Sequence, residues 1–129
     1  MPRISKQSAP DVRDFGPATD HRGQLGTDYT AEFVTIHQSH SLADMLKGLP
    51  GDRCPCPHWG YLLAGRITVG YPDHEEVIEA GDAFYMAPGH VPAAETGSEF
   101  VIFSPTAQLA EVEKVMMANA QRAMQATRP

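Results

Sequence analysis

The chain has 129 residues and a formal net charge of −6, the size of a single domain built on one core. Hydrophobic residues at 42% and charged residues at 20% exclude a disordered polymer and a membrane-embedded chain. The acidic balance has the wrong sign for nucleic acid or anionic lipid partners. No apolar run reaches the length of about 18 residues that a membrane span needs, and the opening MPRISKQSAPDVRDFG has no apolar stretch of the signal-peptide kind, so a cytoplasmic protein is expected.

Residues 1–27 carry prolines, glycines and mixed charges with no sustained period, and are expected to be a poorly ordered or surface-hugging arm ahead of a barrel over 28–129. Ala31 to His37 offers β-branched and aromatic residues in partial alternation and reads as a first strand. Ser41-Leu42-Ala43-Asp44 resembles a capping box, and Gly48 and Pro50 limit the helix it starts to one or two turns. From Cys54 the punctuation becomes regular. Segments 54–64, 66–71, 75–80, 83–87 and 99–103 are separated by Gly65, Pro72-Asp73-His74, Gly81-Asp82 and Pro88-Gly89, which predicts short antiparallel strands in a barrel or sandwich. After Phe103 the period changes. Ser104 reads as an N-cap with Pro105 in the first turn, and Leu109, Val112, Met116, Ala120 and Ala123 describe an apolar stripe on a helix over 106–126 packed outside the barrel.

The stretch Arg53-Cys54-Pro55-Cys56-Pro57-His58-Trp59-Gly60 carries the chemistry. Cys54 and Cys56 are one residue apart, too close for an unstrained bridge, so they are thiols or ligands. On a strand Cys54, Cys56 and His58 share one face, with Trp59 on the other, and the prolines place the stretch at an edge or barrel mouth. His90, after Pro88-Gly89, is a fourth candidate. Soft thiolates with borderline imidazoles favour zinc over magnesium or calcium. The competing reading makes both cysteines buried packing residues and His58 a hydrogen-bonded core histidine.

The segment from Cys54 to Pro92 resembles the cupin superfamily, whose two motifs run approximately G-x5-H-x-H-x3,4-E-x6-G and G-x5-P-x-G-x2-H-x3-N. Gly65 stands where the first motif ends, Gly81-Asp82 opens the second, Ala87-Pro88-Gly89 sits at its turn, and fifteen residues separate Gly65 from Gly81. The resemblance implies an all-β fold, an antiparallel double-stranded β-helix or jelly-roll barrel, here with a C-terminal α-helix. Against the motif, His58 occupies the glutamate position, Cys54 the second histidine position and Asp52 the first, while Pro92 stands at the second-motif histidine with His90 two residues earlier. The usual three-histidine, one-glutamate set is therefore absent, and the resemblance implies a divergent ligand set.

Several other residues have plainer assignments. Leu62, Tyr71, Phe84 and Met86 are expected to line the barrel around a pocket, and His37, His40 and His74 to lie at the surface. Trp59, Tyr61 and Leu63 face away from the cysteines and call for cover, which together with the barrel edge and the amphipathic helix points to a homodimer. Two functions remain open: a zinc enzyme of isomerase, lyase or hydrolase type acting on a small organic substrate, and a non-catalytic barrel binding a metal or small ligand. The first lacks an identifiable buried carboxylate to serve as base. A thiol redox role for Cys54 and Cys56 ranks below both.

Overall fold

A computed structural model describes residues 3–126. The chain forms β1 (Asp11–Asp14), β2 (Ala18–Leu25), β3 (Tyr29–Ile36), β4 (His40–Ser41) and β5 (His58–Ala64). It continues through β6 (Arg66–Gly70), β7 (Glu75–Glu79), β8 (Ala83–Met86), β9 (Val91–Ala94) and β10 (Glu99–Pro105) into the helix α1 (Thr106–Ala126). Every strand-to-strand pairing among the described residues is antiparallel. They build a larger sheet in the order β1-β2-β3-β10-β5-β8 and a smaller one in the order β4-β9-β6-β7. The chain passes repeatedly from one sheet to the other, which makes the fold a jelly roll closed by a C-terminal helix. No helix among the described residues is long and apolar enough to cross a membrane.

The two sheets face each other across a core of Leu62, Ile67, Val69, Ile78 and Met86, with Tyr71, Phe84, Ala94 and Phe100 packed against it. Each large aliphatic side chain buried there contributes on the order of 1.5–3 kcal/mol. Leu62, Tyr71, Phe84 and Met86, expected around a pocket, are thus found in this apolar packing. A second cluster, Leu46, Cys54, Cys56, Leu109 and Val112, joins the barrel to α1 and to a 3-10 turn at Ala43–Leu46. Gly65 makes the turn from β5 to β6 possible. Its φ is +88°, and a Cβ there would lie 2.5 Å from the Cα of the fully buried Ser98.

Three expectations need correction. Residues 11–14 and 18–25, assigned to an arm over 1–27, are β1 and β2 of the larger sheet; residues 1, 2 and 127–129 lie outside the described residues. The inward positions of β2 are Ala18, Asp20 and Arg22, all buried, so an alternation with charged residues on the buried side reads as no alternation at all. The segment expected as a strand from Cys54 becomes regular only at His58, because Pro55 and Pro57 cannot donate to a ladder. Ser104 is not the cap of α1: with Pro105 it ends β10, and the helix starts at Thr106.

The position of α1 also differs from the expectation of a helix on the outside. Register places Arg22, Glu32, Ile102, Gly60 and Phe84 on one face of the larger sheet, the face turned to the core. Glu113 of α1 reaches Arg22, and Leu109 and Val112 pack on the cysteines, so the helix covers the inward side where the smaller sheet leaves it open.

Candidate metal centre

The chain around Cys54 is tied by its backbone to the turn that carries His90. The Cys54 N–H donates to the His90 carbonyl (3.0 Å), and the Gly89 N–H donates to the Cys54 carbonyl (2.8 Å). Gly89, at φ +98°, turns the chain so that this short bridge can form. His58 opens β5 and faces inward beside Met86. These constraints bring one ligand atom each of Cys54, His58 and His90 within 4.8 Å of one another, with all three residues buried. The His58 and His90 rings have centroids 4.9 Å apart, and Cys54 Sγ lies 3.9 Å from His58 Nε2.

Hydrogen bonds fix both imidazoles through Nδ1. His58 Nδ1 lies 2.6 Å from Ser104 Oγ, and His90 Nδ1 lies 2.7 Å from the Ala87 carbonyl oxygen, which can only accept. His90 therefore carries its proton on Nδ1 and presents a bare Nε2, and the Ser104 contact allows the same tautomer at His58. This arrangement is the one in which metal-bound histidines are held. Zinc binds sulfur at about 2.3 Å and nitrogen at about 2.0–2.1 Å in a tetrahedron, which sets sulfur and nitrogen about 3.5 Å apart. The observed 3.9 Å between Cys54 Sγ and His58 Nε2 needs only a small closure. The donor set suits a soft or borderline divalent ion, around which the three ligand atoms, within 4.8 Å of one another, would draw together.

Burial sets the proton affinities. His58 is pushed down to about 3 by burial and by the neighbouring His90, and burial also lowers His90. The Cys54 thiol is raised to about 11 by burial, although the Cys56 carbonyl contact partly opposes this, and Cys56 is raised to about 12 by burial and the nearby Cys54, Glu32 and Glu113. Neutral imidazoles are ready ligands at neutral pH. The thiol is not a ready ligand, because it must give up its proton to a metal.

Cys56 stands outside the close group. It is fully buried, and its thiol donates to the Pro57 carbonyl (3.5 Å) while packing in the cluster with Leu109 and Val112. The other histidines lie elsewhere: His37 is exposed and bonded to Thr19 (2.7 Å), His40 lies on β4, and His74 sits in the β6–β7 turn between Asp73 and Glu76. Asp52, at the first motif position, uses its carboxylate to accept the Gly48 N–H (3.0 Å).

Two interior features escape a sequence reading. Ser104 has the sequence context of a helix cap and instead holds His58. The second feature is a buried ionic cluster on the inward faces of β2 and β3. Arg22 Nη2 donates to Asp20 Oδ2 (2.5 Å), Glu32 Oε2 (3.0 Å) and Glu113 Oε2 (2.6 Å), and Nη1 donates to Glu113 Oε1 (2.8 Å). Burial works against the Arg22 charge, but the Glu113 hydrogen bond and the charges of Glu32 and Asp20 outweigh it and raise its proton affinity. Glu32 is raised well above the carboxylate range by burial and by Asp20. Asp20 Oδ1 and Glu32 Oε1 are buried without a hydrogen-bond partner. A proton on Glu32, donated to Asp20, satisfies both oxygens. With Arg13 3.5 Å from Glu113, two arginines then balance two carboxylates. The available signal was parity: Asp20 and Arg22 stand two apart, as inward residues of a strand do.

No protein-family model and no curated protein matches the sequence. Solved structures do. An RmlC-like cupin from Shewanella frigidimarina NCIMB 400 superposes with a TM-score of 0.51 at 18% identity, covering 74% of this chain and 83% of that one. The chain has the cupin fold. KdgF from Halomonas sp. aligns with a TM-score of 0.52 at 21% identity over 74% of this chain and 86% of its own. The polyketide cyclase RemF from Streptomyces resistomycificus aligns at 0.58 and 15% identity over 81% and 79%. At these identities the likeness is one of fold. Inside the barrel, the interior position of the Cys54, His58 and His90 side chains makes them the candidate centre.

Proposed function

We propose that the chain binds one zinc ion through Cys54, His58 and His90 and acts as an enzyme of isomerase, lyase or hydrolase type on a small organic substrate. The observation that supports it is the convergence of three buried ligand atoms, one from each residue, within 4.8 Å. Three protein ligands leave a coordination position open, and a zinc ion so held polarises a carbonyl or activates water. In this reading Ser104 and the Ala87 carbonyl orient the imidazoles. RemF, named as a polyketide cyclase, shows that the same fold carries small-molecule chemistry.

A second reading is favoured by Cys56, which is fully buried and separated from Cys54 by Pro55 alone: a closed shell of Cys54, Cys56, His58 and His90 around a structural ion, in a non-catalytic barrel. Cobalt substitution separates the two. Under the enzyme reading, azide added to the cobalt protein shifts its visible bands by entering the open position, and Cys56→Ser leaves the thiolate-to-metal band in place. Bands that ignore azide and change with Cys56→Ser would establish the closed structural shell.

We further propose a cytoplasmic homodimer joined through the outer face of the larger sheet. Trp59, Tyr61, Leu63, Tyr29 and Tyr85 on that face are 42–58% exposed, Trp59 and Tyr85 stack at 5.2 Å, and among the described residues β8 is an edge strand, paired with β5.

A further inference from the structure

Cys54, His58 and His90 are 4%, 8% and 1% exposed, so the ligand group is largely shielded from solvent. What lies over them is specific. Leu109 and Val112 of α1 and Leu46 of the 3-10 turn pack directly with Cys54 and Cys56, with Met116 and Leu49 at the margin. Val91 of β9 and Leu42 border the same cluster, but the buried residues laid on the cysteines come from the helix and the turn it rests on, and neither contributes a side chain to the ligand group itself.

The way α1 is fastened is uneven along its length. Its first turn is anchored to the β2–β3 hairpin: the Thr106 N–H donates to the Asp28 carbonyl (2.8 Å), and the Thr106 and Thr30 hydroxyls lie 2.9 Å apart. Beyond that, Glu113 and Asn119 fasten it. Glu113 is gripped by Arg22, with part of its side chain open to solvent. Asn119, two turns further on, donates to the carbonyls of Met45 (2.7 Å) and Lys47 (2.8 Å) and is itself held by Arg122. Asn119 continues the stripe of Leu109, Val112 and Met116, and it is buried where an aliphatic residue would fit the same face. Asparagine is also a poorer helix former than leucine or alanine. An apolar residue would fuse the helix to the turn, whereas an amide on two carbonyls can part from them and exchange its bonds with water. After residue 120 the helix is exposed through residue 125.

We propose that α1 is a lid over the barrel interior, hinged at Thr106 and latched by Glu113 on Arg22 and by Asn119 on the Met45 and Lys47 carbonyls. Opening lifts Leu109 and Val112 from the cysteines and exposes the ligand group while the two sheets stay folded. The passenger, a divalent cation or a small ligand, rests on the metal reading given above; the lid does not.

Thiol labelling of the reduced, metal-free protein tests the lid without reference to metal. In the wild type, Cys54 and Cys56 should react with an aromatic disulfide reagent through an opening that is far less sensitive to urea than global unfolding is. Glu113→Gln and Asn119→Ala should each speed labelling by about tenfold, the loss of one such fastening, with the melting transition of the sheets retained, and the exposed Lys114→Ala should not. Labelling that follows global unfolding in its urea dependence, in the wild type and both variants, would overturn the proposal. Should either variant fail to fold, hydrogen exchange of the wild type decides: α1 amides should exchange together and ahead of those in β5 and β10, and equal protection in all three would refute the lid. A second arm adds Zn²⁺ to the same proteins. Faster association in the two variants extends the lid to metal entry, whereas accelerated labelling with no zinc bound by any of them leaves the lid standing and removes the metal reading.

Discussion

His58 and His74 differ only in what surrounds them, and that difference sorts a candidate ligand from a surface residue. His58 is buried and neutral to about pH 3, while His74 is exposed and its proton affinity is raised by Asp73 and Glu76. His58→Ala should therefore lose most bound metal and His74→Ala none, measured by metal content after desalting. Ser104→Ala frees the His58 ring and should weaken metal affinity about 10–100-fold. The pH dependence of the metal-free protein derives from His58 as well. The folded state resists its protonation and the unfolded state, with an ordinary value of 6.5, does not. Stability from this group is thus complete above pH 6.5 and falls as the pH drops toward 3. Glu32 has the opposite sign. Its raised affinity means the folded state keeps a proton that the unfolded state releases, so its contribution is full at acid pH and is lost as the pH rises through the folded value. Glu32→Gln keeps a donor for Asp20 and cannot ionise. Its urea midpoint should hold steady on the alkaline side where that of the wild type declines. The candidate ligands were legible because cysteine and histidine in close spacing are rare; Glu32 was not, because a carboxylate gives no sign in the sequence that it is buried.

Strand periodicity carried most of the elements from Gly65 onward, where inward positions are apolar, as in Ile67 and Val69. It failed on β2, whose inward residues are charged, and on β9, whose Val91-Pro92-Ala93-Ala94 includes a residue that cannot donate to a ladder. The helix bounds were legible over 106–126, since Leu109, Val112 and Met116 recur at helical spacing. The stripe itself departs from the expectation at its third turn, where the buried residue is the polar Asn119 rather than Ala120 or the exposed Ala123. Gly65 gives the test that belongs to this scale. Gly65→Ala imposes a side chain on a left-handed turn and presses it into the Ser98 backbone, and should destabilise the fold by at least about 1–3 kcal/mol, read as a lower urea midpoint at unchanged slope.

Across the molecule, the two faces of the larger sheet divide the work. The inward face carries the ionic cluster, Ser104 and His58, and the outward face carries Trp59, Tyr61 and Tyr85. If the outward face joins two copies, the protein should sediment as a dimer at micromolar concentration, and Trp59→Ser with Tyr85→Ser should yield a folded monomer. A wild-type monomer at high micromolar concentration would contradict that interface and leave the inward face unaffected. The inward face carries the central claim, that Cys54, His58 and His90 hold one metal ion inside a cupin barrel. Elemental analysis of the purified wild type beside the Cys54→Ser, His58→Ala double variant tests it most directly. The account predicts about one zinc per chain in the wild type, weakening as the pH falls because the Cys54 thiol must release its proton, and none in the variant. Equal metal in both proteins, or a fully stable wild type that takes up no metal when zinc is supplied, would contradict it.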